Sequence, residues 1–163
     1  MVVLSRIDDR LIHGQVVEGW VNFLKATRIL VADDAVASNT LQCSIMKLSV
    51  PQGIKVEIGR VEDICKRVRS SASSAERDIL LFSNPTDVVR ALKFGLECPR
   101  LNIGGMRYVP GKQKLLDVLA VDEIDLAALQ ELTARGLQVE IQTVPNQRPR
   151  LLGNVCSACR AGK

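Results

Sequence analysis

Short runs of β-branched and aliphatic residues alternate along the chain with longer stretches whose apolar positions recur at helical spacing. Val2 to Ile7 reads as a first strand, and Gly14 to Leu24 as a helix with Val17, Trp20, Val21 and Leu24 on one stripe. Arg28 to Ala32 is nearly all apolar, as a strand buried on both faces requires. Asp33 and Asp34 end it, and Ser38 or Asn39 can cap the next helix, which carries Leu41, Ile45 and Leu48. Pro51-Gln-Gly53 breaks the chain before a third strand, Lys55 to Ile58.

Val61 to Arg69 has helical character, with an end left open by the small polar residues from Ser70 to Ser74. Ile79 to Phe82 is a second continuous apolar strand, stopped by Ser83-Asn84-Pro85. Thr86 to Phe94 follows as a helix with Gly95 at its C-cap. Leu101 to Ile103 is a short strand leading into Gly104-Gly105, and Val118 to Val121 is another. Asp125 to Arg135 turns Leu126, Leu129 and Leu132 to the core, and Gln138 to Val144 alternates as an edge strand with one wet face does. The order predicts an α/β fold with one domain: an open, twisted, mainly parallel sheet flanked by helices on both faces, with an antiparallel edge strand near the C-terminus. The domain is expected to span residues 1–147, and 148–163 to form a poorly ordered tail.

At 163 residues the chain is long enough for one domain with a proper core. Its net charge of +4 favours acidic partners or phosphate, without the dense basic clustering and interleaved aromatics of a nucleic-acid binder. The first residues lack a signal-peptide pattern, and no apolar stretch approaches the roughly 20 residues needed to span a bilayer. A cytoplasmic location is therefore expected. Five cysteines, an odd count and mostly scattered, argue against a disulfide framework. Cys156 and Cys159 have CxxC spacing, but with no second pair and no nearby histidine the inert reading outweighs zinc or redox chemistry.

In a parallel sheet, sites gather beyond the carboxyl ends of the strands. The first such loop, Asp8 to Gln15, gathers two carboxylates, a guanidinium, the only histidine, a glycine and an amide. Free N–H groups at the start of the following helix favour an anion, Gly14 permits close approach, and Arg10 can fork onto phosphate oxygens. A neutral His13 imidazole is a competent nucleophile towards phosphorus, and Asp8 or Asp9 could hold one ring N–H or orient Arg10. Against this stands the plain alternative of a surface histidine beside an exposed ion pair worth little. Nucleotide-loop and nucleophile-elbow motifs are absent, and the adjacent acidic pairs do not form a converging metal-ligand set.

The run Arg6-Ile-Asp-Asp-Arg-Leu-Ile-His-Gly-Gln-Val16, with Trp20 shortly after, resembles the phosphorylation loop of the mannose/fructose/sorbose-family IIB subunits. These belong to the bacterial phosphoenolpyruvate-dependent sugar phosphotransferase system. Val31-Ala-Asp-Asp34, Val50 to Val56, Asn102-Ile-Gly-Gly-Met106 and Gly136 to Pro145 extend the resemblance over roughly residues 2–145. It implies a protein-Nπ-phosphohistidine–sugar phosphotransferase in which His13 accepts the phosphoryl group from a phosphorylated IIA partner and Arg10 stabilises it. It further implies that membrane subunits IIC and IID hold the sugar and tether the chain to the membrane; no metal, cofactor or nucleic acid is expected from the residues themselves, and homo-oligomerisation is left open. Gly14 and Gln15, and more distantly Ser83, Asn84, Gly104 and Gly105, are candidates to flank the phosphate. The competing readings are a regulatory phosphohistidine protein that delivers no sugar, and a thiol redox or zinc domain built on Cys156 and Cys159.

Overall fold

The computed structural model describes residues 1–71 and 75–160. Strands β1 (Val2–Asp8), β2 (Arg28–Ala32), β3 (Lys55–Gly59), β4 (Asp78–Phe82) and β5 (Arg100–Gly105) alternate with helical segments. Between β1 and β2 lie a π-helical segment, Gln15–Val21, and a short α1, Asn22–Leu24. Helices α2 (Asp34–Ala37) and α3 (Thr40–Leu48) precede β3, α4 (Val61–Ser70) precedes β4, and α5 (Pro85–Lys93) precedes β5. Then come β6 (Gln113–Leu116), β7 (Leu119–Val121), α6 (Glu123–Ala134), β8 (Gln138–Ile141), β9 (Arg150–Leu151), α7 (Leu152–Val155) and a 3₁₀ turn at Ser157–Cys159.

The main sheet runs β3-β2-β4-β1-β5-β8-β9, and β6 and β7 form a separate antiparallel pair. Every neighbour in the main sheet is parallel except β9, which runs against β8. All five residues of β2 and of β4 are buried, as their unbroken apolar runs require. One face packs Ile7, Leu30, Leu80, Phe82, Ile103 and Ile141 with residues of α4, α5 and α6. The other packs Ile29, Val31, Ile79 and Leu81 with Val17, Trp20 and Val21 of the π-helical segment and with Val36 and Met46. From β1 the chain builds β2 and β3 on one side, returns to β4, and crosses to β5 on the other. The carboxyl end of β1 thus lies where the winding reverses, the usual position of a site in an open α/β sheet.

Three local expectations are corrected. The regular α-helix expected from Gly14 is instead wound as a π-helix over Gln15–Val21, entered through a turn in which Val16 and Val17 both donate to the His13 carbonyl. Strand β8 is shorter than the alternating run and lies parallel to β5, so the antiparallel edge is β9, too short to stand out as a pattern. The third concerns the tail: β9 pairs with β8, while Leu152, Cys156 and Cys159 are buried in the same core as α6. These few apolar residues anchor an otherwise polar segment. Helix α3 is capped by Asn39, buries Met46 and turns Leu41, Ile45 and Leu48 outward. Helix α4 ends at Ser70, and residues 72–74 of the serine-rich stretch lie outside those described.

The tail's anchor carries a prediction. Leu152 is fully buried, so Leu152→Ala removes its packing and leaves a cavity, costing about 2–5 kcal/mol. A lowered midpoint in urea unfolding is expected. A midpoint equal to that of the parent chain would return 148–160 to the status of a frayed tail.

Candidate functional site

The first loop is built outward from a pair of charges inside the sheet. Arg6 and Asp8 share one face of β1, and both side chains are completely buried. Asp8 Oδ2 accepts from Arg6 Nε at 3.3 Å and Nη2 at 3.0 Å, and lies 2.8 Å from His13 Nε2. The other carboxylate oxygen, Oδ1, accepts the backbone N–H of Arg10 at 3.2 Å and sits 3.7 Å from Arg10 Nε. Burial works to raise the Asp8 carboxyl, but the His13 hydrogen bond and the Arg6 charge, with the Arg10 N–H, outweigh it and hold it below the usual range. For Arg6 the balance goes the other way: burial draws the guanidinium down more than its single counter-charge lifts it. The Asp8 direction governs the site, because that carboxylate gathers Arg6, Arg10 and His13. An ionised Asp8 can only accept, so His13 Nε2 carries the proton and donates. Nδ1 makes no hydrogen bond to any described residue, and in the neutral ring it is the nitrogen with the lone pair.

Leu11 sits in the left-handed region at φ 54°, an uncommon conformation for a branched side chain, and its N–H bonds the Asp8 carbonyl. That tight turn brings His13 back over the strand end while Leu11 and Ile12 stay in the core. The N–H groups of Gly14 and Gln15 precede the first closed helical turn. Arg10, 42% exposed, donates to Gln15 Oε1 at 3.1 Å and retains further N–H groups for an anion. Asp8, Arg10, His13, Gly14 and Gln15 are therefore one constellation.

The remaining candidates stand apart from it. Asp9 orients neither His13 nor Arg10: its Oδ2 accepts from the backbone N–H and Nε of Arg107, both at 2.9 Å. It thus pins the chain leaving β5 against the first loop. Ser83 and Asn84 follow β4, the parallel neighbour of β1, at the same end of the sheet. Their side chains are engaged at the start of α5, where Asn84 Oδ1 accepts the Asp87 N–H and Asn84 Nδ2 donates to Ser83 Oγ. Gly104 and Gly105 lie within β5 rather than in a loop beyond it. A Cβ at Gly104 would fall 1.8 Å from Arg6 Cζ, so its glycine makes room for the buried guanidinium. Gly105 accepts the Asp9 N–H.

Arg6, Asn102, Arg107, Gln142 and Thr143 support the site and were not among the sequence candidates. The sequence signals were a charged residue inside an apolar strand two positions before Asp8 and, for all but Arg107, a place within the runs that carry the resemblance. Cys156 and Cys159 are both buried, and burial together with the neighbouring Cys156 pushes the Cys159 thiol up to about 12, far from a reactive thiolate. Among the described residues no cluster of His, Cys, Asp or Glu could hold a metal ion, and no helix is long and apolar enough to cross a membrane.

Comparison with known proteins agrees with this architecture. Residues 2–160 match the family described as the PTS system sorbose subfamily IIB component. The PTS system mannose-specific EIIAB component of Escherichia coli is 36% identical over 144 residues, covering 88% of this chain and 45% of that protein. The chain therefore spans about half the length of the mannose-specific relatives. The N-acetylgalactosamine-specific phosphotransferase enzyme IIB component 2 of Escherichia coli is 36% identical over 146 residues, covering 90% of this chain and 92% of that protein. The crystal structure of the IIBSor domain of the Klebsiella pneumoniae sorbose permease superposes with a TM-score of 0.88 at 31% identity, over 95% of both chains. With residues 2–160 matching the family and relatives above 30% identity covered over most of their length, the chain belongs to the sorbose subfamily of PTS IIB components.

Proposed function

We propose that this chain is a phosphocarrier that accepts a phosphoryl group on His13 Nδ1 from a phosphorylated IIA protein and passes it to a sugar held by IIC and IID membrane subunits. The observation that carries the reading is the imidazole itself: Nε2 is committed to Asp8, Nδ1 is unbonded among the described residues, and Arg10 stands on the same carboxylate. In the accepting step the Nδ1 lone pair forms the new N–P bond as the P–N bond to the donor's histidine breaks. The bonding pair returns to the donor ring, while the proton on Nε2 stays where Asp8 holds it. Delivery reverses the geometry: a sugar hydroxyl oxygen attacks phosphorus, the P–N bond breaks with its pair returning to the ring, His13 leaves as the neutral Nε2–H imidazole, and the hydroxyl proton goes to a base at the sugar site or to water. Arg10 and the N–H groups of Gly14 and Gln15 receive the phosphoryl oxygens, stabilising charge as the group moves in line. An acidic surface on the IIA partner suits the basic chain, and the docked complex works at the membrane without the chain entering it.

The test is incubation with phosphoenolpyruvate, the general phosphotransferase proteins and a mannose-family IIA, followed by intact mass. One acid-labile phosphoryl mapping to His13 is expected, and no gain beside a labelled control IIB would overturn the reading. In the same assay Arg10→Ala should slow acceptance by about a hundredfold, the usual cost of removing one charge-stabilising donor. Its binding to unphosphorylated IIA should change far less. Equal losses in rate and binding would make Arg10 a docking residue.

A further inference from the structure

We propose that Arg6 is a positioning residue for this phosphotransfer, a clamp that holds Asp8 so that the Nε2 proton of His13 stays in place and Nδ1 remains the nucleophile. The inference rests on the phosphocarrier reading and extends it to a residue that does not meet the phosphate. Arg6 has five N–H groups, and each has a protein acceptor. Nε and Nη2 donate to Asp8 Oδ2; Nη2 also donates to the Thr143 carbonyl at 3.1 Å. Nη1 donates to Asn102 Oδ1 and to the Gln142 carbonyl at 2.9 Å. No donor is left for a ligand, and the side chain is wholly buried. The two arginines of the motif thus divide the work: Arg10 is open to the phosphoryl group, and Arg6 is closed around the carboxylate.

The surroundings are shaped to this guanidinium. The Trp20 ring lies 5.5 Å from Arg6 Cζ, and the Trp20 indole donates to the same Thr143 carbonyl at 3.0 Å. Asn102 stands opposite Arg6 in the β1–β5 register and also donates to the Gln142 carbonyl at 3.2 Å. Gly104, next on that face, is the one residue type that leaves the space free. A purely structural ion pair inside a sheet needs only one partner. Here one oxygen of the partner is shared with the histidine at 2.8 Å, so any movement of Arg6 moves the group that fixes the ring tautomer.

Because His13 is the only histidine, ring-nitrogen ¹⁵N NMR reads this site without overlap. The parent chain should show one tautomer, protonated at Nε2. Arg6→Lys has too few N–H groups for the same acceptors, and it should show a mixture of tautomers. Its rate of phosphoryl acceptance should fall about tenfold or more, with KM for phospho-IIA changed less than about twofold, as expected of a misplaced reacting group. A folded Arg6→Lys with an unchanged tautomer overturns the proposal, whatever its rate. If that variant does not fold, Asn102→Ala loosens Arg6 without removing a charge and is read by the same two outcomes. A parent chain that takes no phosphoryl group sinks the phosphocarrier reading. A parent that is labelled beside an unperturbed Arg6→Lys sinks only the clamp.

Discussion

His13→Ala accepts no phosphoryl group from phospho-IIA, and it keeps its fold. The first half follows from composition: the chain has no second imidazole, and none of its thiols is both exposed and activated. The second follows from what the ring touches. Removing it leaves Asp8 with both Arg6 contacts and the Arg10 N–H, so no buried charge is stranded. The loss is one hydrogen bond to a carboxylate that keeps its other partners, about 1.5–3 kcal/mol, or a fall of about 3–12 °C in Tm for a chain of this length. Intact mass after phosphorylation and a thermal melt check the two halves. Residual acid-labile label would place the carrier on another residue, and a collapse in Tm would make His13 a structural residue.

The layout of the sheet was legible because its signals are strong and local. The buried strands β2 and β4 are unbroken apolar runs, and Asn39 and Asn84 cap the helices α3 and α5 that follow the loops they punctuate. The first loop was legible for a different reason, since its mixture of charges has no structural purpose in a plain turn. The partners of those charges were not legible. Asn102, Gln142 and Thr143 lie roughly a hundred residues or more from Arg6, and two of the three contribute only a backbone carbonyl, which carries no residue signature. Gly104 stands in the sequence as a candidate to flank the phosphate, and only the register of β1 against β5 reveals that it stands beside a buried guanidinium. The same holds for Arg28 at the other end of the sheet. Its bidentate pairing with Asp78 joins two strands fifty positions apart, and the charged ends of two apolar runs gave no hint that they meet. Asp8 and Asp9 show the limit most clearly. Adjacent and chemically identical, they alternate across the strand end, so one meets the histidine and the other meets Arg107.

Asp8→Asn separates the two tasks of that hub and should damage both. The amide can still accept from Arg6 through its oxygen, but it brings no charge, so a wholly buried guanidinium loses its counter-ion. Breaking such a pair costs about 3–5 kcal/mol. If the amide nitrogen instead meets His13, it donates towards a ring nitrogen that must then give up its proton, and the hydrogen moves to Nδ1. The nucleophilic lone pair is then on the wrong atom, and acceptance should fall by about a thousandfold or more, the scale seen when a histidine is held in the wrong tautomer. The pH dependence distinguishes this from lost packing. Asp8 is held below the ordinary carboxylate range, so its contribution to stability is complete above the unfolded value of about 3.9 and is lost as pH falls through the lower native value. Urea unfolding of parent and variant should therefore differ most near neutral pH and converge in acid, as the parent's own carboxylate becomes protonated. A gap that stayed constant from pH 7 to pH 3 would mean that shape rather than charge holds Arg6 in the sheet. A variant phosphorylated at the parent rate would remove Asp8 from the chemistry altogether.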